Sequence, residues 1–488
     1  MAEGVKKLDR REFARRAMRG VAGAAYAATA GACARWPSGP HVSRRPNILF
    51  VFADQMRAQA AGWMGNEQVG TPNLDRLARH GLVFENAVSC CPVCTPYRAS
   101  LITGPYPLRH GLLLNDWRLR TDLPTIAKVL KAAGYDTAYV GKWHLDGPKR
   151  GGFTPPGPRR QGFDFWAAAE CTHNYMKSHY YRDDPTPIWI EGYDADRQTD
   201  LAIEYVRSHG RERPFCLFLS WGPPHGPYQQ MPKEYKTYEP GEIRLRPNCP
   251  ENPQRRQDIA GYYSHIEALD RNFGRLVGAL ERAGQFDDTV VIFTSDHGDM
   301  LGSHRKQKKQ KPWDESICVP FVLSYPRRVA PNRRTDVPIN TPDIMPTLLG
   351  LAGVAVPADL EGTDLSAIAM GQASRTPESA FVANLCPFGE PIPEWRAVRT
   401  RRYTYVRTRS GPWLLYDNEK DPYQMTNQIE SPSYQRVRQE LDRELERWLQ
   451  RTGDRFLPRE AYWKQFGYPV NKSGAVPYST RVGDHDLG

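Results

Sequence analysis

Four short apolar runs, each followed at once by charged or imidazole side chains, constrain the fold of this chain most strongly. The runs have the continuous hydrophobicity of strands buried on both faces, as in a parallel sheet flanked by helices. They begin near residues 47, 137, 214 and 289. The polar side chains that follow them are Asp54, Lys142, His144, His225, Asp296 and His297. We therefore predict an α/β fold with a large mixed, mostly parallel sheet.

The same runs also predict where a functional site lies. In open α/β sheets, ligands bind at the carboxyl ends of the strands. Four strands would then bring carboxylates, imidazoles and an ammonium group to one edge, whereas chance would scatter such residues over both ends. Asp54 and Asp296 offer the hard oxygen ligands that divalent cations prefer. This convergence indicates a catalytic site.

A cysteine-containing segment at residues 89–104 adds a candidate nucleophile. Pro96 suits the first position of a helix, because its missing N–H would be unpaired there, and Gly104 can end that helix. Cys94 would then lie at a helix N-terminus, which favours an anion, with Arg98 one turn along. The alternative interpretation is a buried cysteine before an ordinary helix, since free cysteine is among the most buried residue types.

The run C-T-P-Y-R-A-S-L-I-T-G, which begins at Cys94, resembles the signature of the formylglycine-dependent sulfatases of the alkaline phosphatase-like superfamily. In that family, the cysteine of C-x-P-x-R is oxidised by a formylglycine-generating enzyme to an aldehyde that hydrates to a gem-diol. The run Y-D-N-E-K-D-P at 416–422 resembles the family's C-terminal domain. The resemblance implies an alkaline phosphatase-like fold and hydrolysis of a sulfate ester.

The resemblance also implies a set of metal ligands. Asp54, Asp296, His297 and the modified Cys94 would hold a divalent ion, for which Ca²⁺ is the expectation. Gln55 stands where many sulfatases carry a second aspartate, so its part as a ligand is open. His297 stands where many members have asparagine. Because an imidazole is a less usual ligand for calcium, Mn²⁺ or another softer ion remains an alternative.

Five further residues match catalytic positions of the family. Arg98 and Lys142 would hold the formylglycine, and Lys309, four residues before a tryptophan, would bind the sulfate group. One gem-diol hydroxyl would attack sulfur, and His225 would protonate the leaving alcohol. His144 would accept the proton of the second hydroxyl, which releases sulfate. Lys309 lies in a basic run at 305–311, of which we expect at least one lysine to point inward.

Two other functions remain open at this stage. Phosphonate monoester and phosphodiester hydrolases of the same superfamily share C-x-P-x-R and fit the Asp54–Gln55 and Asp296–His297 pairs. His225 and Lys309 favour a sulfatase instead. The second alternative is a secreted glycan-binding relative in which the cysteine stays unmodified. The complete set of polar ligands argues against that relative.

Residues 1–34 predict an export signal. Asp9-Arg10-Arg11-Glu12-Phe13 resembles a twin-arginine motif, and Ala32-Cys33-Ala34 has the form of a cleavage site. We expect a periplasmic or extracellular protein. Lipidation of Cys33 is disfavoured, because no leucine precedes it at the expected place. An amphipathic surface helix is the alternative interpretation.

The remaining chain is predicted to divide into three parts. A catalytic domain covers 46–375, a smaller α+β subdomain with antiparallel strands and a closing helix covers 376–452, and a surface tail covers 453–488. Within the catalytic domain, residues 147–198 are predicted to be an irregular insertion. Residues 395–407 are predicted to form one half-exposed strand.

The composition sets broader limits. The net charge is +11, of which +4 lies in the first 34 residues. The mildly basic body suits an anionic partner, a sulfated small molecule or glycan rather than a nucleic acid, although a solvated surface explains it equally well. No apolar run approaches the roughly 18 residues of a membrane span. The nine cysteines lack zinc spacing, and their odd number argues against a complete disulfide framework.

Overall fold

The computed structural model describes residues 45–372 and 375–483. These residues belong to one compact unit. The predicted export signal, including Cys33, lies outside the described residues. Among the described helices, none is both long and apolar enough to cross a membrane.

Strands and helices alternate through most of the described chain. The strands are β1 Asn47–Asp54, β2 Leu82–Phe84, β3 Ala87–Val88, β4 Asp136–Lys142, β5 Phe165–Ala169, β6 Lys177–Tyr180, β7 Ile188–Glu191, β8 Phe215–Pro224, β9 Thr289–Ser295, β10 Phe321–Ser324, β11 Arg333–Thr335, β12 Ile339–Asn340, β13 Ser379–Asn384, β14 Trp395–Thr400, β15 Tyr403–Thr408 and β16 Gly411–Asp417. The helices are α1 Pro72–Arg79, α2 Cys94–Thr103, α3 Pro107–His110, α4 Ile126–Ala132, α5 Asp194–Ser208, α6 Pro253–Arg282, α7 Asp314–Ile317, α8 Thr341–Leu351, α9 Ser366–Ala369, α10 Gln435–Thr452 and α11 Arg459–Phe466.

A large mixed sheet forms the centre of the fold. Within the described ranges its strand order is β11-β2-β10-β9-β1-β8-β4-β5. The five strands from β9 to β5 run parallel, whereas β10 is antiparallel to both β9 and β2. The prediction of a mixed, mostly parallel sheet is confirmed, and the four apolar runs are its central strands.

The central strand β1 shows why the sheet is covered on both faces. Its residues 49, 51 and 53 pack into one apolar cluster with α1, α5 and α6. Its residues 48, 50 and 52 pack into a second cluster with α2, α4 and α8. Successive side chains of a strand point to opposite faces, so an apolar residue at every position requires a helical layer on each side.

The prediction of an irregular insertion at 147–198 is wrong. This segment contains β5, which pairs with β4 at the edge of the main sheet. It also contains the two-stranded β6–β7 ribbon and the start of α5. These elements are short and lie between glycine- and proline-rich turns, so their apolar periodicity is too brief to recognise in the sequence.

A separate four-stranded antiparallel sheet, β13-β14-β15-β16, follows the main sheet in the described chain. Leucines 441, 445 and 449 of α10 cover one of its faces. The prediction of a single strand over 395–407 is wrong, because β14 and β15 form a hairpin. The Thr400 hydroxyl accepts hydrogen bonds from the N–H groups of Arg402 and Tyr403 and closes the turn. The subdomain boundaries at 375 and 452 stay predictions.

Candidate active site

The four polar strand ends lie together in the structure. Strands β9, β1, β8 and β4 are parallel neighbours, so their carboxyl ends meet at one edge. Asp54 ends β1, Lys142 ends β4, His225 follows β8, and Asp296 follows β9. The predicted placement of these side chains at one edge of the sheet is therefore observed.

Helix α2 presents Cys94 to this edge. The helix begins at Cys94, which is 1% exposed, and Gly104 ends it with a φ of 91°, as predicted. The prediction that Pro96 occupies the first helical position is wrong, since Pro96 is the third residue of α2. Pro96 remains compatible with the helix because N–H groups of the first turn have no intrahelical partner. Cys94 thus lies at the helix N-terminus.

Four ligand atoms of this edge are close enough to share one cation. They belong to Asp54, Cys94, Asp296 and His297, are all buried, and lie within 4.8 Å of one another. Cys94 Sγ lies 3.3 Å from His297 Nε2 and 3.7 Å from Asp54 Oδ1. The Nδ1 of His297 lies 3.0 Å from the Gly298 carbonyl, to which it can donate. That hydrogen bond leaves Nε2 with its lone pair towards the cluster.

Gln55 also lies at this cluster. Its backbone N–H donates to Asp296 Oδ1 at 2.9 Å, and its Nε2 donates to Asp299 Oδ2 at 2.6 Å. Its Oε1 is buried and has no hydrogen-bond partner among the described residues. A buried amide oxygen without a partner is costly, and a cation would satisfy it. The donor set of carboxylates, imidazole and amide oxygen therefore fits a divalent metal.

Three cationic side chains surround the same atoms. Arg98 Nη2 lies 3.1 Å from Asp54 Oδ2 and 3.3 Å from Asp296 Oδ2. Lys142 Nζ lies 2.6 Å from Asp54 Oδ2. Lys309 Nζ lies 2.8 Å from Cys94 Sγ. These cations are well placed to bind an anionic group that reacts at residue 94.

Two lysines of the basic run point inward. Lys309 is 9% exposed and reaches Cys94, as described above. Lys311 is 1% exposed and pairs with Glu390. The expectation of at least one inward lysine is confirmed.

The charges in the cluster follow from burial and from these cations. Burial alone would raise the pKa of Asp54, but Lys142, together with Lys309 and Arg98, holds it well below its usual value. Burial and the Asp54 charge raise the pKa of Asp296 to about 6. Burial and Asp54 oppose ionisation of the Cys94 thiol, yet the surrounding cations hold its pKa well below the usual value. A divalent cation would relieve the repulsion between the two carboxylates.

His144 is held by a pair of residues that the sequence analysis did not identify. Its Nε2 lies 3.0 Å from Asp116 Oδ1, and Arg150 binds both oxygens of Asp116 at 2.6 and 2.7 Å. Burial opposes protonation of His144, but Cys171, Asp116 and Cys94 raise its pKa to about 9. Strand β4 ends at Lys142 and His144 has a φ of 57°, so strand alternation does not set its direction. Asp116 and Arg150 do not follow a strand directly, so no sequence pattern identifies them as residues of the site.

His225 has the opposite charge state. Its Nδ1 lies 2.7 Å from the Gly226 carbonyl, and its ring stacks on His173 with centroids 4.2 Å apart. Burial, then His173 and Lys309, hold the pKa of His225 well below its usual value. In the unmodified, substrate-free chain His225 is thus neutral and His144 cationic. Their predicted roles, with His225 as acid and His144 as base, stay predictions.

Comparison with known proteins agrees with this geometry. The sequence profile of the family described as Sulfatase matches residues 46–354, and that of "N-sulphoglucosamine sulphohydrolase, C-terminal" matches 302–451. An ulvan-active sulfatase of Formosa agariphila is 42% identical over 89% of this chain and 87% of its own length. An endo-4-O-sulfatase of Bacteroides thetaiotaomicron is 30% identical over 79% of this chain and 88% of its own.

A solved structure shows the same likeness in three dimensions. The structure of a Bacteroides fragilis protein assigned as a sulfatase superposes with a TM-score of 0.76 and 31% identity, over 84% of this chain and 97% of the other. The profile matches well over half of the chain, and the curated relatives align over most of their lengths. This chain belongs to the sulfatase family of the alkaline phosphatase-like superfamily and is a sulfate ester hydrolase.

Proposed function

We propose that the protein removes sulfate from an extracellular sulfated glycan, with residue 94 converted to formylglycine and with Ca²⁺ at the adjoining cluster. The observation that carries the proposal is the shared position of four buried donor atoms within 4.8 Å of one another, with Lys309 on the Cys94 sulfur. The Cys94 sulfur stands in for an oxygen of the hydrated aldehyde. Relatives named for action on ulvan and for endo-4-O-sulfatase activity support a glycan substrate.

The residues that would hold the cation are Asp54, Gln55, Asp296 and His297, together with residue 94. The bound ion would supply charge that polarises the sulfuryl group and the nucleophile. The chain itself prepares the site: Arg98 fixes both carboxylates, and the Gly298 carbonyl fixes the tautomer of His297. Because His297 offers an imidazole ligand, Mn²⁺ is the alternative ion. Metal analysis of the purified enzyme distinguishes Mn²⁺ from Ca²⁺.

Conversion of Cys94 changes the charge balance in favour of substrate. In the unmodified chain, the thiolate is the anion that faces Lys309 and Lys142. A neutral formylglycine would leave both ammonium groups facing the pocket without the negative charge of the thiolate. A sulfate ester would take that place, and charge-assisted hydrogen bonds to its oxygens would stabilise the transition state.

The same change acts on the two histidines. Loss of the Cys94 thiolate removes one of the groups that raise the pKa of His144, so a larger fraction of His144 is neutral and able to accept a proton. A bound sulfate group next to Lys309 and His225 would offset the cations that depress the pKa of His225. Both shifts favour His225 as the acid for the leaving alcohol and His144 as the base.

The discriminating experiment compares three substrates. Wild-type enzyme is expected to turn over an aryl sulfate and a sulfated oligosaccharide with higher kcat/KM than a phenyl phosphonate ester. A clear preference for the phosphonate ester would instead assign the protein to the phosphonate monoester hydrolases. Mass spectrometry of the Cys94 peptide from the native host tests the non-catalytic alternative, which requires an intact thiol.

Replacement of His225 tests the acid role. His225→Ala is expected to lower kcat/KM on a sulfated sugar by on the order of 10²-fold or more, because an alkoxide needs a proton as it leaves. A nitrophenyl sulfate, whose leaving group is a weak base, is expected to lose much less. Steady-state rates on both substrates measure the contrast, with the exposed His80→Ala as a control. Equal losses on the two substrates, or the contrast in His144→Ala instead, would refute the assignment.

We propose export through the twin-arginine pathway on the basis of residues 1–34. Substituting Arg10→Lys together with Arg11→Lys is expected to retain the protein in the cytoplasm, because the receptor of this pathway reads the arginine pair. Cell fractionation and immunoblotting measure the distribution. The double substitution Arg15→Lys with Arg16→Lys, outside the motif, serves as the matched control. Unchanged export of the Arg10/Arg11 variant would contradict the proposal.

A further inference from the structure

A cavity of about 460 Å³ lies directly beside the active site. Its wall includes Arg150, Cys171 and His173. His173 stacks on His225, and Arg150 holds the Asp116 carboxylate that binds His144. Cys171 Sγ lies 3.7 Å from His173 Nε2; burial opposes ionisation of this thiol, yet His144 and Lys142 are among the cations that hold its pKa well below its usual value. The cavity wall therefore contains residues that contact the surroundings of both His144 and His225.

Apart from the Cys171 thiol, whose lowered pKa favours an anion, the charged groups that line this cavity are cations. Arg150 and Lys177 are its permanent cations, and no carboxylate occurs among the described residues that line it. Burial lowers the pKa of His179 to about 4, so this histidine is neutral. Lys177 is exposed and forms no ion pair with any described residue, whereas Arg150 shares its charge with Asp116. Lys177 is thus the cation of this cavity that is most available to bind an anionic ligand.

Two aromatic side chains also face this cavity with unusual exposure. Trp189 is 52% exposed and Tyr478 is 50% exposed. Trp189 lies opposite His179 in the β6–β7 ribbon, with ring centroids 5.5 Å apart, which fixes its position. The Arg150 guanidinium lies 3.6 Å from the centroid of the Tyr478 ring. Large aromatic side chains that stay exposed to solvent at a concave site indicate a binding surface rather than a core.

The C-terminal segment completes the cavity. The Ser479 carbonyl accepts a hydrogen bond of 2.7 Å from the Arg150 N–H, and Pro148 accepts from the Ser479 N–H at 3.2 Å. These bonds place Tyr478, Thr480 and Val482 in the cavity wall. A segment predicted only as a surface tail therefore contributes to the surroundings of the active site.

We propose that this cavity binds the sugar unit next to the one that loses sulfate, and that it selects a unit carrying its own anionic group. The inference rests on the proposed glycan sulfatase function and names the substrate class. The apolar C–H face of a sugar ring packs on an exposed aromatic side chain, here Trp189. Lys177, with Arg150, binds a carboxylate or second sulfate on that unit. The volume lies within the roughly 300–1,000 Å³ of ligand pockets.

The test compares substrates that differ only at the neighbouring unit. One is a sulfated oligosaccharide whose neighbouring unit is a uronate, the second is its carboxyl-reduced form, and the third carries a second sulfate there. Lys177→Glu is expected to lower kcat/KM roughly tenfold on the uronate or the disulfated substrate, and to leave the carboxyl-reduced substrate nearly unchanged. Which of the two anionic substrates loses more identifies the preferred group.

Trp189→Ala tests the aromatic contact separately. It is expected to lower kcat/KM roughly tenfold on all three oligosaccharides, since the ring packs on the sugar and not on its charge. A small aryl sulfate cannot reach the cavity, so its turnover should be the same in wild type, Lys177→Glu and Trp189→Ala. Lys472→Ala, an exposed lysine outside the cavity, is the matched control.

Two negative outcomes are distinguishable. If the wild type cleaves the oligosaccharides and both variants match it on every substrate, the inference about the cavity is overturned while the proposed function stands. If the wild type cleaves the aryl sulfate but none of the oligosaccharides, the glycan substrate is overturned and the inference with it. Because both substituted side chains are exposed, unchanged aryl sulfate turnover shows that the variants are folded.

Discussion

Replacing Cys94 with serine is expected to lower multiple-turnover hydrolysis of an aryl sulfate by on the order of 10⁴-fold or more, as for loss of a catalytic nucleophile. A serine hydroxyl can attack sulfur, because Lys309 and Lys142 face this position. Serine has no second hydroxyl on the same carbon, and loss of a proton from such a hydroxyl is what would expel the sulfate. The variant should therefore stop as a stable sulfate ester on residue 94. Mass spectrometry of the intact protein after incubation with substrate would show the added sulfuryl group.

Two control variants distinguish loss of the nucleophile from a general effect of substitution. Cys94→Ala should be equally inactive but should gain no mass, since it offers no nucleophile. Cys91→Ser, three residues away and also buried, should keep its activity and gain no mass. Its thiol lies in a separate apolar cluster with Cys90 and Val93, and burial raises its pKa well above the usual value. Sustained turnover by Cys94→Ser would show that the reaction does not need a hydrated aldehyde.

Much of the site could be predicted because its residues follow the strands that form the core. Asp54 directly follows the buried residues 48–53 and Asp296 directly follows the buried strand β9, so the sheet that forms the fold also fixes their position. Lys309 needed the family resemblance, because it lies in a loop within a basic run that is usually solvated. The common physical reason is that a parallel sheet brings consecutive strand ends to the same edge.

The residues that the sequence did not reveal occupy loops whose position depends on distant packing. Asp116 has a φ of 65° and binds Arg150, 34 residues later, and no periodic pattern connects the two. Tyr478 lines the neighbouring cavity, where the C-terminal segment bonds to the loop at Arg150. The sequence does not reveal the hairpin between β14 and β15, because the alternation of apolar and basic residues continues across its turn. Contacts between residues far apart in sequence decide the first two features, and local hydrogen bonds at the turn decide the third.

Asp296→Asn is expected to lower both metal content and activity, the latter by on the order of 10³-fold, or about 4 kcal/mol of transition-state stabilisation. The amide keeps the shape of the carboxylate but removes a charge from the group that would hold the cation. It leaves the Lys142–Asp54 ion pair intact, so the fold should persist. Elemental analysis of purified protein measures the metal, and circular dichroism measures the fold. Asp359→Asn, an exposed surface aspartate, is the matched control.

The pKa of Asp296 adds a pH dependence to this prediction. Burial and the Asp54 charge raise that pKa to about 6, above the usual value, so the metal-free folded protein binds this proton more tightly than the unfolded chain. Metal-free protein therefore gains stability as the pH falls through 6, and loses it as the pH rises. Metal binding needs the carboxylate, so its stabilisation, about 2.7 kcal/mol at a 100-fold excess over Kd, shrinks over the same range. Asp54 stays ionised there, because its pKa is held well below the usual value.

Thermal unfolding with and without added Ca²⁺ at several pH values measures this effect. In the wild type, the increase in Tm caused by Ca²⁺ should be largest above the Asp296 pKa and should decline below it. In Asp296→Asn the Ca²⁺-dependent increase should be small at every pH, because the asparagine cannot ionise. An increase of wild-type size in Asp296→Asn would show that the cation binds elsewhere. In that case the cluster of four buried donors would serve to pair Arg98 and Lys142, and the metal would have no part at residue 94.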